Sequence, residues 1–143
     1  MKEENLEFYF KRINDALISY VNNELKELDL TFSQMEVLQF LCERKNEEIY
    51  QKDIEKHFNL SHPTVIGILK RLQSKDLIII KRSEKDKRKR NIIITKKVTD
   101  SEEKMYAKKN EIEDHIKSLL SDEEISELER LLKILCENII YKL

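Results

Sequence analysis

The strongest constraint on the fold is a pair of short isoleucine-rich runs, "LIIIKR" at 77–82 and "NIIIT" at 91–95. Both are rich in β-branched residues and too short to form independent helices. The segment that joins them, "SEKDKRKRN" at 83–91, carries five cationic side chains among nine residues. This pattern predicts a β-hairpin whose isoleucines pack on a core and whose basic loop projects away from it.

A helical fold is predicted for the rest of the chain. Only one glycine and one proline occur among 143 residues, and such breakers usually mark sheets and long loops. Apolar side chains recur every three or four residues through 5–28, as in an amphipathic helix. Helical periodicity returns from about residue 98, where Thr99 with Glu102 and then Ser121 with Glu124 have capping-box spacing. The predicted fold class is therefore mostly α with a small β-hairpin.

A helix-turn-helix is predicted ahead of the hairpin. Residues 51–58 read as a short helix, and Asn59 suits the tight turn that follows because Asn tolerates left-handed backbone angles. Ser61 is a good N-cap for the second helix, and Pro63 falls in its first turn, where a missing N–H costs little. The residues of that helix predicted to face the core are Val65, Ile66, Leu69 and Leu72. A helix-turn-helix followed by a hairpin is a winged helix, with the basic loop as its wing.

Three regions are expected within one domain. Residues 31–97 form the winged helix-turn-helix, and residues 1–30 and 98–143 form helical regions on either side of it. These flanking helices carry more apolar surface than a small winged helix covers. A second copy of the chain would bury that surface in a symmetric dimer, in which the flanking regions are the dimerisation helices. Packing of the terminal helices within the monomer is the alternative.

Charge is segregated along a chain whose formal net charge is only −1. Residues 1–50 have a net charge of −5, residues 51–97 of +9 and residues 98–143 of −5. A basic central module between acidic ends is the expected footprint of a polyanion partner, most often nucleic acid. The alternative is a solvated, lysine-rich surface without a partner.

Three stretches resemble the MarR family of bacterial transcription regulators, and the resemblance covers almost the whole chain. "LTFSQMEVLQFL" is similar to the second helix of the family, and "QKDIEKHFNLSHPTVIGILKRLQSKDLI" is similar to its helix-turn-helix. "DKRKRNIIIT" resembles its wing signature, with Asp86, Arg88, Ile94 and Thr95 at the motif positions. Ile94 stands where the family has leucine, and Asp76 stands where it usually has glycine. The combined order and spacing of the stretches make the resemblance specific.

The resemblance implies a homodimer whose terminal helices interlock and whose two winged helices bind a pseudo-palindromic duplex. It also implies a small-molecule effector that binds between the dimer region and the DNA-binding lobe and relieves repression. We therefore expect a sequence-specific, ligand-responsive repressor that binds double-stranded DNA. The alternative is a winged-helix protein–protein interaction module whose basic wing binds an acidic protein surface.

The first turn of the second short helix is expected to enter the major groove. Hydroxyl and imidazole groups there can bond base edges, and a glycine permits close approach of the backbone. The candidate contacts are Ser61, His62, Pro63, Thr64 and Gly67, followed by Lys70 and Arg71 as phosphate contacts. For Ser61, capping of the helix is an equally good interpretation.

The wing is expected to follow the DNA backbone with its cations, Lys85, Lys87, Arg88, Lys89 and Arg90. Arg88 matches the family residue that reaches the minor groove, a role that suits arginine because guanidinium sheds water readily. Asp86 lies two residues earlier, and residues at that spacing point to the same side of an extended strand. The resemblance implies that Asp86 orients Arg88 through a charge-assisted hydrogen bond, which this spacing permits.

No catalytic, cofactor or metal site is expected. The sequence has no glycine-rich phosphate loop, nucleophile elbow or His-Glu-x-x-His motif, and its three histidines lack metal-ligand spacing. Cys42 and Cys136 lie on apolar stripes, which predicts buried, reduced thiols rather than redox sensors. The sequence shows neither an export signal nor an apolar run long enough to cross a membrane, which predicts a cytoplasmic protein.

Overall fold

The computed structural model describes residues 4–139, in which six α-helices and one β-hairpin follow each other along the chain. The elements are α1 (Leu6–Glu24), a 3-10 turn (Lys26–Leu28), α2 (Phe32–Glu43), α3 (Gln51–Phe58), α4 (His62–Ser74), β1 (Ile78–Arg82), β2 (Arg90–Ile94), α5 (Lys96–Lys117) and α6 (Asp122–Ile139). They form two compact units, residues 1–106 and residues 107–143. The outermost ends of the predicted flanking regions, residues 1–3 and 140–143, lie outside the described residues.

The predicted fold class is confirmed, because the chain is mostly helical and its two strands form one antiparallel hairpin. Two helices begin at capping boxes that the sequence predicts. At α2 the Thr31 hydroxyl accepts the Gln34 N–H, and the Gln34 side chain accepts the Thr31 N–H, both at 3.3 Å. At α6 the Ser121 hydroxyl and the Glu124 carboxylate exchange the same pair of bonds. These reciprocal bonds satisfy N–H groups that a helix start leaves without partners.

The start of α5 differs from the prediction. The helix begins at Lys96, so the predicted capping box of Thr99 and Glu102 is wrong. The Thr99 hydroxyl instead donates to the Lys96 carbonyl at 2.9 Å, inside the first turn. Thr95, which precedes the helix, donates its hydroxyl to the Asp76 carbonyl at 2.7 Å. The junction between the hairpin and α5 is therefore held by a bond to the α4–β1 turn.

The core of the first unit is apolar, and one face of α4 packs into it. Its most deeply buried apolar side chains are Leu25, Val37, Leu38, Ile54, Val65, Leu72, Ile78 and Val98. On α4 the predicted core residues Val65, Leu69 and Leu72 are buried, but Ile68 is buried where Ile66 was predicted, and Ile66 is half-buried. With this face held in the core, the opposite side of α4 is left at the surface.

The hairpin rests on the core through alternate residues. Ile78 of β1 pairs with Ile94 of β2. Ile78 and Ile92 are buried, whereas Ile79 is 43% exposed, because successive strand residues point to opposite faces. The isoleucines therefore hold the hairpin on the core as predicted, but only on one face.

The second unit contains the part of α5 from residue 107 onward and the whole of α6. Lys117 near the end of α5 forms ion pairs with Glu113 at 3.5 Å and with Glu129 of α6 at 3.7 Å. Many large apolar side chains of this unit are exposed in the single chain; they are Leu119, Leu120, Leu128, Leu131, Leu132, Ile134 and Ile139. Within residues 4–139, no helix combines the length and the apolar character that a membrane span requires.

Candidate nucleic-acid interface

A tight turn between α3 and α4 places the start of α4 at the surface. Asn59 ends α3 in the left-handed conformation, with a φ of 51°. Ser61 caps α4: its hydroxyl oxygen accepts the Thr64 N–H at 3.4 Å and lies 2.8 Å from the Thr64 hydroxyl oxygen. The capping interpretation of Ser61 therefore describes its role in the free protein, and its hydroxyl stays exposed beside that of Thr64.

One side of α4 lines an open recess of about 610 Å³ whose other wall is the first turn of α2. The residues that line it are Thr31, Ser33, Gln34, Pro63, Thr64, Gly67, Ile68 and Arg71. The structure thus brings four of the predicted DNA contacts, Pro63, Thr64, Gly67 and Arg71, to one surface. Ser33, which is exposed at the start of α2 on the facing wall of the recess, was not among the predicted DNA contacts.

Gly67 keeps this side of α4 open. A Cβ atom added there would have one neighbour within 4 Å, Nη1 of Arg71 at 3.8 Å, which is an ordinary contact. Gly67 does not adopt a positive φ angle. Neither packing nor backbone geometry therefore requires glycine at this position.

His62, the first residue of α4, is held by α3 through one ring nitrogen. Its Nδ1 lies 2.7 Å from Nε2 of Gln51 and 3.3 Å from Oε2 of Glu55. The side chain is nevertheless 65% exposed. These contacts leave Nε2 as the ring nitrogen available to an external partner. Lys70, the remaining predicted contact on α4, is also exposed.

In the wing, Asp86 and Arg88 form the predicted pair. Nε of Arg88 lies 3.2 Å from Oδ1 of Asp86, and Nη2 lies 3.3 Å from Oδ2. The Arg88 N–H also donates to Oδ1 at 3.0 Å, and the bonds from Arg88 lower the pKa of the Asp86 carboxyl. The predicted reason for the pairing is wrong: both residues lie in a turn closed by the Lys89 N–H and the Asp86 carbonyl, not on an extended strand.

Cations surround a second open recess, of about 350 Å³, beside the wing. It is lined by Ile80, Arg82, Lys87, Arg88 and Arg90. Arg82 was not predicted as a contact because it belongs to β1. The other predicted wing cations, Lys85 and Lys89, are exposed, and Nζ of Lys89 lies 4.8 Å from the centre of the Tyr50 ring. A cluster of positive groups around one concave surface concentrates positive potential there.

Sequence reasoning missed the residues that hold the base of the wing. Ser83 is 2% exposed and donates its hydroxyl to Oε2 of Glu48 at 2.6 Å. The Tyr50 hydroxyl donates to the same oxygen at 2.6 Å, and these two bonds lower the pKa of the Glu48 carboxyl. The only sequence signal was Ser83 itself, a small hydroxyl residue where a strand becomes a loop.

The cysteines differ from each other in their surroundings. Cys42 is buried as predicted, but Cys136 is exposed in the single chain, so the prediction of burial is wrong for Cys136. Burial raises the pKa of the Cys42 thiol to about 11, which keeps it protonated near neutral pH. In the part of the chain that the structure describes, no three His, Cys, Asp or Glu side chains are grouped to hold a metal ion.

A helix-turn-helix with an exposed first turn on α4, followed by a hairpin with a basic loop, defines a winged-helix protein. Residues 28–89 match the MarR family. Over 63 residues the chain is 38% identical to the transcriptional regulator SarA of Staphylococcus aureus, a segment that is 44% of this chain and 51% of SarA. The chain therefore spans about half the length of the curated relatives that it matches.

Two solved structures extend the comparison to nearly the whole fold. The transcription regulator MarR from Oenococcus oeni is 29% identical, with a TM-score of 0.75 over 94% of this chain and 100% of that one. A mutant of MepR from Staphylococcus aureus, bound to an oligodeoxyribonucleotide, is 26% identical, with a TM-score of 0.60 over 96% of this chain and 99% of that one. Over nearly its whole described fold, the chain is therefore similar to regulators of the MarR family.

Proposed function

We propose that this chain is a transcriptional regulator that binds double-stranded DNA in a sequence-specific manner. The observation that carries the proposal is the exposed first turn of α4, where His62, Pro63 and Thr64 lie at the surface of a helix whose opposite face is buried. A helix held in this way can enter the major groove without rearrangement. The names of SarA and of the Oenococcus oeni protein as regulators, and the oligodeoxyribonucleotide bound to MepR, support it.

The chemistry of α4 suits the reading of bases. His62 can donate from Nε2 to a guanine acceptor, and the Thr64 hydroxyl can donate to or accept from a base edge. Pro63 and the Thr64 methyl offer apolar contacts for a thymine methyl group. Lys70 and Arg71 follow on the same helix and can bind phosphates. Such phosphate contacts set the position of the helix on the duplex but carry no sequence information.

The wing supplies a second contact on the same duplex. Arg88, which is 90% exposed and already paired with Asp86, is proposed to enter the minor groove, where negative potential is concentrated. Arg82, Lys87 and Arg90 surround the neighbouring recess and are proposed to bind phosphates. Each phosphate neutralised in this way releases counterions, so the affinity should fall steeply with salt.

We further propose that the chain acts as a homodimer on a pseudo-palindromic site, with half-sites about one helical turn apart. α1 exposes Leu6, Phe8, Tyr9, Phe10, Ile13, Leu17 and Ile18 in the single chain, and α6 exposes a second apolar set. Apolar surface on this scale usually marks an interface. The dimerisation role of residues 1–30 and 98–143 remains part of this proposal.

The regulation we propose is repression that a small effector relieves. A ligand that alters the spacing of two α4 helices weakens DNA binding because both half-sites must be contacted together. The proposed role is binding rather than catalysis. A regulator that binds chromosomal DNA in a bacterium acts in the cytoplasm. The free thiols of Cys42 and Cys136 would stay reduced there.

Selection of duplexes from a random pool by the purified chain tests the proposal. We expect enrichment of a two-fold symmetric motif, and its loss with the Arg88→Ala variant of the wing or with His62→Ala in α4. Recovery of duplexes without any shared motif would contradict sequence-specific binding and would favour the protein–protein interaction module.

A further inference from the structure

A carboxylate outside both the helix-turn-helix and the hairpin holds the base of the wing. Glu48 lies in the loop between α2 and α3, and its Oε2 accepts the hydroxyl hydrogens of Ser83 and Tyr50, each at 2.6 Å. Its Oε1 accepts the Glu84 N–H at 3.3 Å. One ionised group thus joins the α2–α3 loop to the first residues of the wing loop.

Ser83 passes this restraint on to the loop backbone. Its hydroxyl donates its one hydrogen to Glu48, and its oxygen accepts the N–H groups of Lys85 and Asp86 at 3.1 Å each. Its own N–H donates across the loop to the Lys89 carbonyl at 2.9 Å. Because Ser83 is 2% exposed, water competes little for these bonds. The bonds fix the loop backbone on both sides of its turn.

Strand β2 is hydrogen-bonded to the α2–α3 loop, which carries Glu48. The Asn91 side-chain oxygen accepts the Ile49 N–H at 3.0 Å, and the Ile92 N–H donates to the Ile49 carbonyl at 2.8 Å. The backbone beside Glu48 is therefore anchored to β2, which keeps the Glu48 side chain within reach of Ser83.

We propose that Glu48 is a positioning residue for DNA binding, which orders the wing loop before DNA arrives so that Arg88 is presented in one conformation. This inference rests on the proposed function. A loop that is already ordered loses less conformational freedom on binding. Removal of the Glu48 charge therefore weakens DNA binding, although a purely electrostatic effect of removing a negative group near the wing would strengthen it.

Whether loss of the Glu48 charge weakens or strengthens DNA binding is tested with Glu48→Gln and a matched control, Glu47→Gln. Glu47 is the exposed neighbour of Glu48, so that the control makes the same change of charge one residue away. Both are titrated against the duplex selected by the unmutated protein at one salt concentration. We expect Glu48→Gln to weaken binding about tenfold, as for the loss of hydrogen bonds to a charged group, and Glu47→Gln to bind equally or slightly more tightly. Equal or tighter binding by Glu48→Gln overturns the inference.

Amide hydrogen exchange in the DNA-free protein tests the ordering of the loop by itself. We expect the amides of Glu84, Lys85 and Asp86 to exchange faster in Glu48→Gln than in the Glu47→Gln control. Unchanged exchange overturns the inference whatever the DNA titration shows, and so does faster exchange with unchanged affinity. If the unmutated protein binds no duplex, the proposed function fails, while the exchange rates still decide whether Glu48 orders the loop.

A second variant covers the case in which Glu48→Gln does not fold, as judged by circular dichroism. Ser83→Ala keeps the carboxylate but removes the hydroxyl that links it to the amides of Lys85 and Asp86. It is expected to speed the exchange of those two amides and to weaken DNA binding in the same direction. Unchanged exchange and unchanged affinity in Ser83→Ala overturn the inference.

Discussion

Asp86 holds Arg88 at three points in the DNA-free chain, through Nε, Nη2 and the backbone N–H. The Arg88 side chain is nevertheless 90% exposed, so that the contact orients it without burying it. Since the bonds from Arg88 lower the pKa of Asp86, the carboxylate stays ionised near neutral pH, and the pair is lost only when acid protonates it. An arginine that is already oriented is the form that a minor groove can bind at the smallest entropic cost.

Asp86→Ala is therefore expected to weaken specific DNA binding by roughly two- to tenfold, even though it adds one unit of positive charge to the wing. Arg88→Ala is expected to weaken it more, and the double variant should resemble Arg88→Ala because Asp86 acts through Arg88. Titration of the variants against one duplex at fixed salt measures all of these effects.

Glu84→Ala is the matched control for Asp86, since it removes an exposed carboxylate from the same loop. It is expected to leave the affinity unchanged or to raise it slightly. Tighter binding by Asp86→Ala, to the same extent as by Glu84→Ala, would show that the wing acts only as a diffuse positive charge.

The apolar surface of α1 leads to a prediction about assembly. Light scattering at micromolar concentration should give twice the 17.2 kDa chain mass. Ile13→Glu should shift this to the monomer mass, because Ile13 is 60% exposed in the single chain and a charge there opposes association without disrupting the monomer core. Asn14→Glu adds the same charge at the next position and is expected to remain dimeric. A monomer mass for the unmutated protein would rule out the homodimer.

The buried Cys42 is predicted to be chemically inert. Its pKa is raised to about 11 by burial, so the reactive thiolate forms only as the pH approaches that value. In the Cys136→Ser variant, iodoacetamide should leave Cys42 unmodified at pH 7.5 and should modify it after unfolding in urea, as measured by mass spectrometry. DNA binding by the Cys136→Ser variant, whose only cysteine is the buried Cys42, should likewise be insensitive to peroxide. Rapid alkylation of folded Cys42, or release of DNA by peroxide, would contradict this account.

Asp76 is predicted to cost the fold some stability. It follows α4 in the left-handed conformation, with a φ of 58°, which Asp tolerates better than most residues but less well than glycine. Asp76→Gly should raise the free energy of unfolding by about 0.5–1 kcal/mol, whereas Asp76→Ala, which keeps a Cβ atom, should not raise it. Urea denaturation of both variants measures the difference, and equal stabilities would show that the backbone angle carries no strain.

Local sequence signals were sufficient for the helix-turn-helix and the wing. Asn59, Ser61 and Pro63 each act within a few residues of their own position, so that the turn and the start of α4 follow from them directly. The resemblance of the wing implied the pairing of Asp86 with Arg88, and their separation of two residues allowed it, although a turn and not a strand brings them together. Such features are predictable because the interacting groups are neighbours in the chain.

The features that were missed depend on contacts between distant segments. Glu48 and Ser83 are not linked by any periodicity, and only the packing of β2 beside Ile49 brings them together. The predicted capping box at Thr99 was wrong because capping-box spacing also occurs inside helices. α5 begins at Lys96, directly after Thr95, whose hydroxyl donates to the Asp76 carbonyl. The burial of Cys136 depends on what covers α6, which a stripe of apolar residues does not reveal.

Competition between two duplexes tests the central claim most directly. The duplex selected by the protein and a scrambled duplex of the same length and composition are titrated at several salt concentrations. We expect the selected duplex to bind at least about a thousandfold more tightly. Its affinity should fall linearly on a log–log plot against salt, because each phosphate contact releases counterions. Equal and weak binding of both duplexes would contradict sequence-specific recognition by α4 and the wing.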